Sequence, residues 1–195
     1  MVGGYPFGLV PLDPERGSCE RLGTTRMVSS AARAPDGSLW VAGLTEGLVR
    51  LDPASGRETR LDPTSVRGLE LGERLPAEVL VSADGALWVG TGDGLFRVEP
   101  GLGAATVYSA TTLGLRSAEI LELFQASDGA LWVGTAPGLA RQDPASGRFE
   151  AVTRRDGLPD DLVCAILEAR DGALWLGTNN GLCRFDPRTR AFRTF

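Results

Sequence analysis

The string DGALWVGT stands at residues 84–91 and again at 128–135, with near copies DGSLWVAG at 36–43 and DGALWLGT at 171–178. This recurrence constrains the chain more than any other property, because a short internal period in 195 residues calls for one repeat domain. The tryptophans Trp40, Trp88, Trp132 and Trp175 follow at steps of 48, 44 and 43 residues, and Gly-Leu pairs at 47, 94, 138 and 181 keep the same step. One unit is therefore about 44 residues long.

Residues 119–161 show the pattern of a unit. An apolar run (EILELFQA) leads to Asp128-Gly129, then ALWVGT, a short turn at Ala136-Pro137, GLARQ, a DPASG turn and RFEAVT. Asp-Gly between two apolar runs predicts a hairpin, read as a type I′ turn with positive φ at both central residues. The runs are too short for helices and are bounded by Gly, Pro or Asp, so each unit reads as a four-stranded meander. In ALWVGT, Leu87 and Val89 point to one face and Trp88 to the other, so such a strand has to be covered on both sides.

A four-stranded unit that cannot bury its own faces must stack on copies of itself. The prediction is an all-β fold: a β-propeller of four-stranded antiparallel blades, about five of them, the first incomplete. It forms a single repeat domain over residues 1–195. The units run from about 1–26 (partial), 27–76, 77–118, 119–161 and 162–195. Residues 1–22 align with the last three strands of a unit, and Pro11 stands where the others have Arg50, Arg97, Arg141 and Arg184, so the first blade is expected to be irregular. The four tryptophans, with Gly37, Gly85, Gly129 and Gly172 of the hairpins, are structural in this reading.

The residue inventory excludes much chemistry. There is no His and no Lys; all 20 basic residues are Arg, against 25 carboxylates, for a net charge of −5. Imidazole bases, Schiff-base amines and His metal ligands are therefore absent, and the acidic balance argues against a nucleic-acid surface. The chain is expected to be non-enzymatic, with no cofactor and no metal. The acids Asp156, Asp160 and Asp161 do not match the spacing of an EF-hand loop. No apolar window approaches 18 residues and the N-terminus lacks the pattern of a secretory signal, so no membrane insertion by this chain is expected. Cys19, Cys164 and Cys183 fit neither a disulfide framework nor a metal site and read as small buried residues on strands.

Variation is concentrated in the loops between the second and third strands and between consecutive units. These loops supply the candidate ligand-binding residues: Glu46, Asp93, Arg116, Arg154, Arg155, Asp156, Asn179 and Asn180. Few aromatics lie near them (Tyr5, Phe7, Tyr108), which weakens a carbohydrate reading. In each full unit the arginine of GLxR is followed two positions later by an acid, such as Asp52 after Arg50 or Asp143 after Arg141, which suggests an ion pair along one strand face or a cap on the turn that follows.

The string DGALWVGTxxGLxRxDPxSGxF, together with RRDGLPDDLVCAILEARDGALWLGTNNGLCRFDP at 154–187, resembles the two-component regulator propeller repeat found in sensor regions of bacterial hybrid histidine kinases. The resemblance implies an extracytoplasmic sensor module that binds a small molecule and signals through a membrane helix to a kinase. The function expected is non-catalytic ligand sensing at the loop face, with a small-molecule ligand or a protein partner and no nucleic acid. A protein interaction scaffold is the alternative. The repeats are also distantly similar to virginiamycin B lyase, whose mechanism relies on a His that this chain lacks. The incomplete first blade leaves self-association to complete the ring as a further expectation.

Overall fold

Each eight-residue string forms the first turn and second strand of an antiparallel sheet. The computed structural model describes residues 2–4, 8–10, 12–13, 18–19, 23–25, 27–71 and 75–195. Near the N-terminus, β1 (Val2–Gly4) pairs with β2 (Gly8–Val10), and β3 (Leu12–Asp13) with β4 (Ser18–Cys19). Tyr5, Phe7, Pro11, Arg74 and the side chain of Cys19 lie outside the described residues.

Four four-stranded sheets follow. The first holds β5 (Val28–Arg33), β6 (Leu39–Gly43), β7 (Gly47–Leu51) and β8 (Glu58–Arg60). The second holds β9 (Pro76–Val81), β10 (Leu87–Thr91), β11 (Leu95–Val98) and β12 (Ala105–Tyr108). The third holds β13 (Ile120–Gln125), β14 (Leu131–Thr135), β15 (Gly138–Gln142) and β16 (Phe149–Val152). The fourth holds β17 (Val163–Glu168), β18 (Leu174–Thr178), β19 (Gly181–Asp186) and β20 (Ala191–Thr194). Within every sheet the strands lie side by side in chain order, so the protein is all-β and built of meanders. Among the described residues no helix is long and apolar enough to cross a membrane.

The first hairpin differs from the predicted type I′ turn. Gly37, Gly85, Gly129 and Gly172 have φ of 81° to 87°, whereas the aspartates before them are not among the positive-φ residues. Gly37 N–H donates to Ala34 O at 3.0 Å while Ala34 N–H donates to Ser38 O at 2.8 Å, and the other three hairpins repeat this pair. The loop is therefore a three-residue one, a tight turn closed by a left-handed glycine in a bulge. The aspartate is needed for its side chain: Asp128 Oδ1 accepts from Ala130 N–H at 2.9 Å, and Asp36 Oδ1 from Ser38 N–H at 3.0 Å.

The other carboxylate oxygen of that aspartate holds the GLxR arginine. Arg97 pairs with Asp84 at 2.6 Å and Arg141 with Asp128 at 3.2 Å, and Arg50 pairs with Asp36 and Arg184 with Asp171 in the same way. Of the two expectations for the acid two positions later, this corrects the ion pair along one strand, whereas the turn cap is found. In the first, third and fourth sheets the acids two positions after the arginines cap the following turn: Asp52 Oδ1 accepts from Ala54 N–H at 2.9 Å, Asp143 Oδ1 from Ser146 N–H at 2.7 Å and Asp186 Oδ1 from Arg188 N–H at 2.9 Å. In the second and third sheets the anchored guanidinium also covers an indole, Arg97 over Trp88 at 5.9 Å and Arg141 over Trp132 at 5.7 Å. In three sheets the first strand carries a bulge, at Val28/Ser30, Ile120/Glu122 and Val163/Ala165. Cys164 falls in the last of these and is exposed, against expectation, because a bulge takes a residue out of the regular alternation. Cys183 is buried on β19, and burial pushes its thiol pKa up.

The chain divides into two compact units, residues 1–89 with 96–107, and 90–95 with 108–195. In the first unit, Trp40, Leu48, Val79, Leu87, Val89 and Phe96 share one core, and Leu39, Val41, Val49 and Leu51 form a separate cluster. In the second unit, Trp132 and Leu139 of the third sheet pack with Val163, Ile166, Leu174, Leu176 and Phe185 of the fourth. The approach is close: a Cβ on Gly134 would stand 2.6 Å from Val163 O, which is why WVG ends in glycine. The threonine after it is buried and locks the next turn, Thr135 Oγ1 donating to Gly138 O at 2.7 Å. β6, β10 and β14 are buried along their whole length, whereas β18 is only partly so.

In the first unit Ser30 Oγ donates to the Glu78 carboxylate, and burial raises the pKa of Glu78 despite that bond. A raised carboxylate pKa costs stability as pH climbs from the ordinary glutamate value of 4.5 through the raised one. Glu78→Gln is therefore expected to melt higher than wild type at neutral pH and to match it at acid pH, as read by thermal denaturation. Trp132→Ala is expected to lose about 3–5 kcal/mol in denaturant titration. Trp175→Ala, at a half-buried position, should lose markedly less; equal losses would contradict the burial difference.

Candidate functional site

The loops that join one sheet to the next carry the local structure from which a cavity is built in the second unit. After β12, Ser109 caps a single helical turn, α1 (Ala110–Leu113), which ends on Gly114 at φ 71° and releases the chain into Leu115-Arg116. After β16, Thr153 caps a 3-10 turn at Arg154–Asp156. Thr153 N–H donates to Asp156 Oδ2 at 2.9 Å and Arg155 N–H to Thr153 Oγ1 at 3.3 Å, so the TRRD sequence forms a reciprocal cap. Further on, Asp161 Oδ1 accepts from Arg154 N–H at 2.9 Å.

Gly114, Leu115, Arg116, Pro137, Thr153, Arg154, Arg155 and Asp161 line a cavity of about 360 Å³. Its volume lies at the small end of the range for small-molecule sites, roughly 300–1,000 Å³. Three arginines and one aspartate line it, a local positive excess in a chain of net charge −5. Asp161 is engaged twice, by the Arg154 backbone and by Arg116 at 3.7 Å. The side chains of Arg154 and Arg155 make no ion pair within 4.0 Å among the described residues, although, besides the Thr153 backbone N–H, the Arg155 charge helps to hold the Asp156 carboxyl pKa down. Planar guanidinium forks beside backbone turns suit carboxylate or phosphate oxygens, and no aromatic ring lines the cavity to stack on a sugar.

Of the residues singled out in the sequence, the structure brings Arg116, Arg154 and Arg155 to this cavity. Asp156 sits beside it but its carboxylate is committed to the cap, and the Thr153 backbone N–H is the chief cause of its lowered pKa. Asn179 and Asn180 form the turn between β18 and β19, Asp93 that between β10 and β11, and none of the three lines the cavity. Glu46 lies in the other unit, between β6 and β7, where it accepts from Thr45 Oγ1 at 2.6 Å. The acids 156, 160 and 161 do not converge: Asp160 Oδ1 caps Leu162 N–H at 2.9 Å, and the described residues hold no cluster of metal-ligating side chains. The sequence reading placed Pro137 and Asp161 in these loops without choosing them as ligand candidates, and missed Thr153; the spacing Thr-x-x-Asp at 153–156 was the available signal for the cap. A second, open groove of about 870 Å³ lies in the first unit around Asp36, Arg50 and Asp52, whose charges are already spent on one another and on their turns.

Residues 157–180 match the family model described as two component regulator propeller. That segment, largely within the fourth full unit, is similar to one two-component regulator propeller repeat. Among solved structures it is similar to the extracellular domain of the protein described as hybrid two component system BT4673 from B. thetaiotaomicron, with a TM-score of 0.74 and 22% identity. That match covers 91% of this chain and 23% of the other, so the chain spans about a quarter of that relative's length. A streptogramin B lyase matches with a TM-score of 0.69 at 18% identity over 90% of this chain and 57% of the enzyme. XC5397 from Xanthomonas campestris, a gluconolactonase, matches at 0.64 and 17% over 92% and 66%. No curated protein sequence matches. At these identities the likeness shows the fold, a β-propeller whose blades are the four-stranded sheets.

The cap at the cavity has a defined acid response. Because the carboxyl pKa of Asp156 is lowered, its stabilisation is complete above the ordinary aspartate value of 3.8 and is lost as pH falls through the lowered value. Asp156→Ala is expected to melt below wild type at pH 7, and the gap is expected to narrow as pH falls below 3.8; thermal melts across that range check this.

Proposed function

We propose that this chain is a non-catalytic ligand-binding module of the sensor-propeller kind, and that the cavity between Arg116, Arg154 and Arg155 takes a small anion. The observation that carries the reading is the excess of arginine over carboxylate in the lining of that cavity, three against one. Arginines gathered on one wall repel one another, and an anionic ligand offsets that repulsion through charge-assisted hydrogen bonds. The repeat and the similarity to the extracellular domain of a two component system favour sensing over turnover. A catalytic role finds no support in the cavity walls, which offer no imidazole, amine or thiol, and whose one carboxylate is held by Arg154 and Arg116.

Calorimetric titration with citrate, inorganic phosphate and uncharged glucose tests the proposal. Heat from at least one anion and none from glucose is expected. Arg155→Ala should weaken that binding by about tenfold or more, the effect of one charge-assisted bond. Silence from both anions at millimolar concentration, or unchanged binding by Arg155→Ala, overturns it.

A further inference from the structure

The arginine-lined cavity of the second unit holds one acceptor that the fold leaves open. Asp161 uses Oδ1 for the Arg154 N–H at 2.9 Å, whereas its Oδ2 accepts no hydrogen bond among the described residues. The guanidinium of Arg116 stands 3.7 Å from Oδ2, beyond hydrogen-bond range. Asp161 is 24% exposed and Arg116 84%, so this pair is loose, screened by water and readily exchanged for other partners. The hydroxyl of Thr153 is spent inside the cap, donating to Asp156 Oδ2 at 3.1 Å and accepting from Arg155 N–H at 3.3 Å. The side chains of Leu115 and Pro137 neither donate nor accept. The lining therefore combines three arginines, all donors, with one carboxylate oxygen that lacks a donor of its own.

Resting on the anion-binding reading above, we propose that the cavity takes a small hydroxycarboxylate, with the carboxylate on the arginines and the hydroxyl donating to Asp161 Oδ2. An unsubstituted dicarboxylate satisfies the arginines, but it sets its own oxygens against Asp161 and leaves Oδ2 without a donor, and like charges at that range repel. A ligand ammonium would supply the donor, yet its charge is opposed by a wall of three arginines and one aspartate. A hydroxyl is the neutral donor that meets both demands, and a hydrogen bond to an ionised acceptor is stronger than one between neutral groups. Size agrees with this class. A cavity of about 360 Å³ suits a short-chain acid, and its apolar end at Leu115 and Pro137 accommodates the carbon backbone.

Calorimetric titration of the intact chain with succinate, both enantiomers of malate and aspartate tests the proposal, because these acids differ only in the substituent on one carbon. One malate enantiomer is expected to bind about tenfold more tightly than succinate, the effect of one hydrogen bond to a charged acceptor, and aspartate no more tightly than succinate. In Asp161→Asn, which keeps an acceptor for the Arg154 N–H, the preference for malate should shrink to roughly twofold or less, while succinate binds at least as tightly as to wild type because the wall has lost its negative charge. The ligand comparison on wild type stands whether or not that variant folds. Equal binding of succinate and malate, aspartate as the tightest ligand, or a malate preference unchanged in Asp161→Asn overturns the proposal. Heat from inorganic phosphate with silence from every carboxylate also overturns it and leaves the anion reading standing; silence from phosphate and citrate as well overturns both.

Discussion

The second strand of each sheet carries large apolar side chains on both faces, and such a strand is stable only where two layers cover it. β6, β10 and β14 are buried along their whole length, and the rest of the architecture follows from that requirement. One face packs within the unit, as Trp132 does against Phe185, ring centroids 5.8 Å apart and edge to face. Gly134 exists because the next sheet's first strand passes too close for a side chain, and Thr135 because the turn beyond a buried strand end must satisfy its carbonyl from inside.

Around that hydrophobic requirement the repeat arranges a polar relay on its exposed margin. The aspartate of each first hairpin uses one oxygen to hold the turn and the other to hold the arginine of the third strand, and in the second and third sheets that arginine roofs the tryptophan. Exposed ion pairs of this kind contribute little individually. Their effect is positional: they fix the guanidinium where it shields an indole edge from water, so the letters Asp, Trp and Arg recur together in the sequence because they meet in space.

The loops between sheets answer to other rules. They carry no obligation to the interior beyond ending one meander and starting the next, so they are free to differ, and in the second unit two of them converge on a cavity lined by arginines. Capping fixes that convergence. Ser109 and Thr153 start short helical turns, Gly114 ends one in a left-handed conformation, and Asp161 ties the backbone of the second to the strand that follows. The same indifference of loops to the scaffold explains why likeness to the extracellular domain of a two component system, a lyase and a gluconolactonase coexists at 17% to 22% identity.

The sequence alone determined the period, the four-stranded meanders, the packing character of Trp132 and the need for glycine at the hairpins, because each depends on local alternation or on a backbone angle that neighbouring letters reveal. It also brought Arg116, Arg154 and Arg155 into view as loop residues. Only the tertiary structure decided which of the eight loop candidates share a wall, that the hairpin aspartate rather than the nearer acid pairs with the arginine, and that Cys164 and Trp175 are not enclosed as their repeat positions imply. The physical reason is one of range. Periodicity fixes which face of a strand a residue occupies, but whether that face is covered, and which distant turn stands beside which, depends on the layer packed against it, whose identity is not encoded in the letters around the residue itself.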